Sequence, residues 1–110
     1  MRKAMVYLRD KIAGTLVEDE NGYSFSYDAQ FLASVDAEPI SLTIPLSPLT
    51  YKSNVLFPFF DGLIPEGWLL DITVKNWKIN PEDRMGLLMT CCKDCIGAVG
   101  VVAINEEDQP

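Results

Sequence analysis

The run Glu18-Asp19-Glu20-Asn21-Gly22-Tyr23-Ser24-Phe25-Ser26-Tyr27 decides the fold. Its first half is charged and ends in Asn-Gly, the pair that most readily adopts the positive φ angles of a tight hairpin turn. Its second half alternates strictly. Tyr23, Phe25 and Tyr27 face one way and Ser24 and Ser26 the other, which gives a strand one aromatic and one wet face. The strand before the turn is residues 12–17, where Gly14 marks a bulge or a close backbone approach. Further upstream, Met5, Tyr7 and Arg9 alternate with Val6 and Leu8, and Asp10-Lys11 offers a short polar turn. A three-stranded antiparallel meander is the expected start of the fold.

Asp28 is placed to cap a short helix over residues 29–33, with Phe31 and Leu32 docking on the sheet. Residues 40–46, Ile-Ser-Leu-Thr-Ile-Pro-Leu, alternate again, and the flanking prolines suit an edge strand or a strand that ends abruptly. Ser47-Pro48-Leu49-Thr50 reads as a turn. Ser53 or Asn54 is a candidate cap for a helix carrying Val55, Leu56, Phe59 and Phe60. Pro58 is tolerable only in a first turn, so that helix is short or begins late. After the break at Asp61-Gly62, Pro65-Glu66-Gly67 opens a helix to about residue 78. Asn80-Pro81-Glu82-Asp83 starts another, with Met85, Leu88, Met89 and Cys92 at core spacing. Residues 97–104 form a last strand rich in small residues, expected to be central. The expected domain spans residues 1–105, and residues 106–110 form an acidic frayed tail. Strands, then helices, then one strand define an α+β fold: a small antiparallel or mixed sheet with three to four short helices.

Composition narrows the function. The 110 residues are 48% hydrophobic, which suits a globular domain. No apolar run approaches the ~18 residues of a membrane span, and no continuous apolar segment follows Met1-Arg2-Lys3 as an export signal requires. A cytoplasmic protein is expected. The net charge of −7 argues against direct nucleic-acid binding, because a polyanion is met with clustered Lys and Arg. Cys91, Cys92 and Cys95 are too few and too bunched for a disulfide framework. With no histidine and no second C-x-x-C they do not complete a structural zinc site, so they read as buried small hydrophobes.

Catalytic constellations are missing. Without histidine there is no Ser-His or Cys-His pair, and the glycines at 97 and 100 belong to no phosphate-binding motif. Asp61 and Glu66 read as a turn residue and a first-turn helix acid, not as paired catalytic carboxylates. No enzyme, cofactor or metal is expected.

The helix beginning near Pro65 is unusual. At about 100° per residue, Leu70, Val74 and Trp77 share one side, while Trp68 and Ile72 lie roughly opposite. A small domain needs one apolar stripe for its own core. The second stripe, led by a tryptophan, is expected to meet another protein.

Three segments carry a family resemblance. Residues 59–67, Phe-Phe-Asp-Gly-Leu-Ile-Pro-Glu-Gly, are similar to the F-F-D-N-L-L-P-E-G pattern of HipA-like serine/threonine kinases. Residues 41–46 resemble the S-L-S-L-P-L run upstream of it, and residues 94–99 the D-x-x-G-A-V that closes the N-terminal subdomain of those kinases. The opening hairpin and residues 27–33 fit as well. Gly62 stands where the family usually has asparagine, Ile64 where it has leucine, and Cys92 where it often has glycine. The resemblance implies the α+β fold of that subdomain, and no kinase active-site residue has a matching position. A free-standing version of the subdomain is similar to HipS of the three-part HipBST toxin–antitoxin systems. There HipT is a HipA-like kinase toxin and HipB a helix-turn-helix DNA-binding protein. That resemblance implies an antitoxin that binds and neutralises the kinase, with Phe59, Asp61, Pro65, Glu66, Gly67, Trp68 and Ile72 as its partner-binding residues. A non-inhibitory module, or the N-terminal part of a longer HipA-like kinase, are the other readings.

Overall fold

The computed structural model describes residues 1–64, 75, 78, 80–91 and 99–104. Five strands form one antiparallel sheet: β1 (Arg2–Leu8), β2 (Lys11–Asp19), β3 (Gly22–Tyr27), β4 (Tyr51–Ser53) and β5 (Val99–Ile104). Their order is β4-β3-β2-β1-β5. Three short helices accompany them among the described residues: α1 (Ala29–Ala33), α2 (Pro58–Asp61) and α3 (Arg84–Cys91). The fold is α+β, as expected.

The meander forms where the alternation places it. β2 and β3 close with Asp19 opposite Gly22, and Gly22 has φ +131, a conformation that a Cβ would strain. Asp19 Oδ1 accepts from the Asn21 amide at 2.8 Å and steadies the turn. The register between β1 and β2 pairs Val6 with Gly14 and Tyr7 with Ile12, so Ala13 is an extra residue in β2. The Ala13 carbonyl accepts the Asp28 amide at 2.7 Å, which joins the bulge to the start of α1. Gly14 also meets the close approach expected of it: a Cβ there would lie 2.8 Å from the Phe25 ring. Asp28 caps α1, its Oδ2 accepting from the amides of Gln30 and Phe31.

One face of the sheet is the core. Ala4, Val6, Leu8, Leu16, Phe25, Tyr27, Val99 and Val101 are buried together with Phe31, Leu56, Phe57, Phe60, Ile64, Met85, Leu87 and Leu88. Phe25 sits at its aromatic centre, 4.9 Å edge-on from Tyr27 and 5.7 Å from Phe60. The opposite sheet face, with Met5, Thr15, Val17 and Val102, is half-buried.

Several expectations are corrected. Residues 40–46 are not a strand. Ile40 and Ile44 are buried while Leu42 is exposed, whereas alternation would put all three on one face. The chain turns between them, with a lone bridge from Ser41 to Ile44. The sheet edge is instead β4, three residues pairing Tyr51 with Phe25 and Ser53 with Tyr23. The helix after it begins late, at Pro58, with the proline in its first turn. Ser53 serves the Val55 amide in a local turn and does not cap that helix. Asn80 likewise accepts from the Glu82 amide in the preceding turn, and Asp83 takes the Gly86 amide at the start of α3. β5 is an outer strand of the described sheet, not a central one, because β1 already has β2 on its other side. The two-sided helix led by Trp68, the thiols and the acidic tail lie outside the described residues or side chains. Lys75 is helical, and Lys78, in a turn, has φ 53.

Candidate partner-binding surface

The segment from Phe57 to Ile64 positions the expected contact residues. The Asp61 amide bonds the Phe57 carbonyl at 3.0 Å and the Gly62 amide the Pro58 carbonyl at 2.9 Å, closing one helical turn. The two phenylalanines then divide. Phe60 is buried at the core, and Phe59 packs edge-on against it at 5.2 Å while staying half-buried. Phe59 therefore offers part of its ring to the surface. Gly62 has φ −68, a right-handed conformation open to any residue. Nothing in its backbone calls for glycine.

Asp61 is tied down. Arg84, at the start of α3, donates Nε to Asp61 Oδ1 at 2.6 Å, and the pair is partly open to solvent. This bond joins the segment to α3 and holds the carboxylate at the rim of a groove. The groove, about 440 Å³, is lined by Tyr23, Asn54, Val55, Leu56, Pro58, Asp61 and Arg84. Of the seven expected contact residues, Phe59 and Asp61 come together here on α2. Pro65, Glu66, Gly67, Trp68 and Ile72 lie outside the described residues.

A charge cluster beyond Tyr23 went unread in the sequence. Arg2 donates to both carboxylate oxygens of Asp83, at 2.9 and 2.8 Å, and through Nε to Glu18 at 2.6 Å. Tyr23 donates to the other Glu18 oxygen at 3.1 Å. The Arg2 fork holds the Asp83 carboxyl below its ordinary range. Burial, then Glu18, pushes the Tyr23 hydroxyl up. Arg2 and Asp83 are 81 residues apart in the chain, so no local pattern announces their pairing. The cluster fastens β1, β2 and β3 to α3, behind the groove.

Among the described residues no group of three or more His, Cys, Asp or Glu is placed to hold a metal ion. Among the same residues no helix is long and apolar enough to cross a membrane.

The architecture defines a class: a small α+β domain with a five-stranded antiparallel sheet covered on one face. The family model for the HipA N-terminal domain matches residues 4–102, and the chain belongs to that family. A solved N-terminal domain of HipA toxin superposes with a TM-score of 0.73 at 27% identity, covering 96% of this chain and 95% of that one. An uncharacterised protein of Haemophilus influenzae is 33% identical over 109 residues, 99% of this chain and 96% of the relative. A putative kinase of Sinorhizobium fredii, Y4mE, is 25% identical over 108 residues. The chain spans 26% of that kinase's length. The likeness is thus to the N-terminal, non-catalytic subdomain of HipA.

Proposed function

We propose that this chain is a HipS-like antitoxin of the cytoplasm, which binds a HipA- or HipT-like serine/threonine kinase and neutralises it by protein contact. The observation that carries the reading is the end-to-end match to the HipA N-terminal domain, in a chain with no histidine and no catalytic motif. The Haemophilus influenzae relative, matched over 96% of its length, is itself little more than this domain. Trp68 and Ile72, with the Pro65-Glu66-Gly67 turn, insert into or beside the kinase active site and block it. Phe59 and Asp61, on α2, contribute to the same contact. An indole buried in a cleft anchors an interface strongly, so Trp68→Ala is expected to weaken binding by roughly 2 kcal/mol or more. Calorimetry against a purified HipA-like kinase checks this, with circular dichroism to verify folding. Unchanged affinity in a folded variant rejects the role of Trp68. A HipB-like helix-turn-helix protein joins the same complex and supplies the DNA contact that a charge of −7 denies this chain.

The Y4mE match favours a second reading, because there a domain like this occupies about a quarter of a putative kinase. On that reading the chain completes or positions the kinase without inhibiting it. Adding the purified chain to a phosphorylation assay separates the two. The antitoxin reading expects the rate to fall with added chain, and the module reading expects it to hold.

A further inference from the structure

Leucines without a place in the fold stand out on the loop between α1 and β4. Leu42 is 95% exposed and Leu49 74%, and Leu46 is 37% exposed. A soluble domain scatters single apolar residues over its surface, but three within eight positions of one loop call for a reason. The loop is also held in shape. Ile40 and Ile44 are buried. The Tyr27 hydroxyl accepts from the Ile40 amide at 3.1 Å and donates to the Ile44 carbonyl. Tyr51 donates to the Pro45 carbonyl at 2.7 Å, while Ser41 and Ser47 take the amides of Thr43 and Leu49. Pro45 and Pro48 restrict the chain further. A backbone ordered before contact loses less entropy on binding.

Charge selects the occupant. Residues 39–51 contain no Asp, Glu, Lys or Arg, in a chain with 9 basic and 16 acidic residues. A charge-free, leucine-bearing loop suits a cleft that is itself apolar and uncharged, because an ionised group buried against it would lack a partner. A second copy of this chain fits poorly. Two molecules of charge −7 repel. Three leucine side chains offer on the order of a few hundred Å², against roughly 800 Å² per partner in a standard interface. The loop is therefore one anchor within a larger contact.

We infer that the loop over residues 40–50 is a second docking element for the kinase, seating Leu42 and Leu49 in an uncharged apolar cleft. This rests on the kinase reading above. The test is the double variant Leu42→Asp/Leu49→Asp beside wild type, titrated calorimetrically against the purified HipA-like kinase that wild type binds, with Leu42→Ser/Leu49→Ser as a milder pair. Both residues face solvent, so melting temperatures are expected to match wild type. Affinity is expected to fall about tenfold or more for the aspartates and less for the serines. Wild-type binding with undiminished affinity in both folded pairs overturns the docking loop and leaves the kinase reading standing. Failure of wild type to bind any HipA-like kinase removes both. A wild-type dimer in light scattering that the aspartates split into monomers also overturns the inference, by assigning the leucines to a homodimer.

Discussion

β3 and the loop over residues 40–50 bury comparable side chains by different means. In β3, Phe25 lies between Leu16 of β2 and Tyr51 of β4, and the ladders on both sides satisfy its backbone. In the loop, Ile40 and Ile44 reach the same core with one isolated bridge and two tyrosine hydroxyls lent by β3 and β4. A ladder serves every amide in a row, and so hides each second side chain. Hydroxyls serve chosen groups only and free the residues between them. Leu42 projects into water for that reason, where a strand would have turned it inward with Ile40 and Ile44.

Substitutions can break this contrast, beginning with the ladder. Phe25→Ala removes a ring in contact with Tyr27 and Phe60, and about 3–5 kcal/mol of stability should go with it in urea denaturation. A loss below about 1 kcal/mol would mean that the sheet does not organise the core. Tyr27→Phe keeps the ring but withdraws the hydroxyl that joins Ile40 to Ile44. With buried backbone groups left unpaired, about 1–3 kcal/mol is expected. Faster hydrogen exchange at the Ile40 amide should accompany it. If stability and exchange both stay at wild-type values, the loop is held by its prolines and not by the tyrosine.

The smallest effect belongs to the Arg2 clamp. Arg2 holds Asp83 ionised, so the folded-state value lies below the unfolded one. The stabilisation is present above the unfolded value near pH 4 and is lost as the pH falls through the folded one. Both groups are about a third exposed, and solvent screens them. Arg2→Ala should cost about 1 kcal/mol at pH 7. That cost should shrink at pH 2, measured by denaturation at each pH. An equal cost at both would show that packing of the Arg2 stem, not the ion pair, carries the effect.

The sequence was legible where short-range chemistry decides. The hairpin signalled by Asn21-Gly22, the alternation of residues 23–27, the Asp28 cap and the late start forced by Pro58 all appear in the structure, though only Gly22 of the pair takes a positive φ. It misled where a distant group supplies what a ladder normally would, because residues 40–46 alternate as a strand does and the Tyr27 hydroxyl lies 13 positions away. β4 has three residues, too few for a period to declare itself. The bonds from Arg2 to Asp83 and from Arg84 to Asp61 are set by topology and leave no local trace. Of the candidate surface, Phe59 was legible as an aromatic beside the core. The engagement of Asp61 by Arg84 was not.

The pairing of β1 with β5 sets Lys3 opposite Ile104 and Leu8 opposite Val99. During synthesis, β1 emerges from the ribosome long before β5, its second neighbour. The meander can form early, but β5 joins the sheet only after residues 99–104 have cleared the exit tunnel. Contacts so distant in sequence are slow to close. Whatever the domain does with its sheet complete, it begins doing only after β5 has docked beside β1.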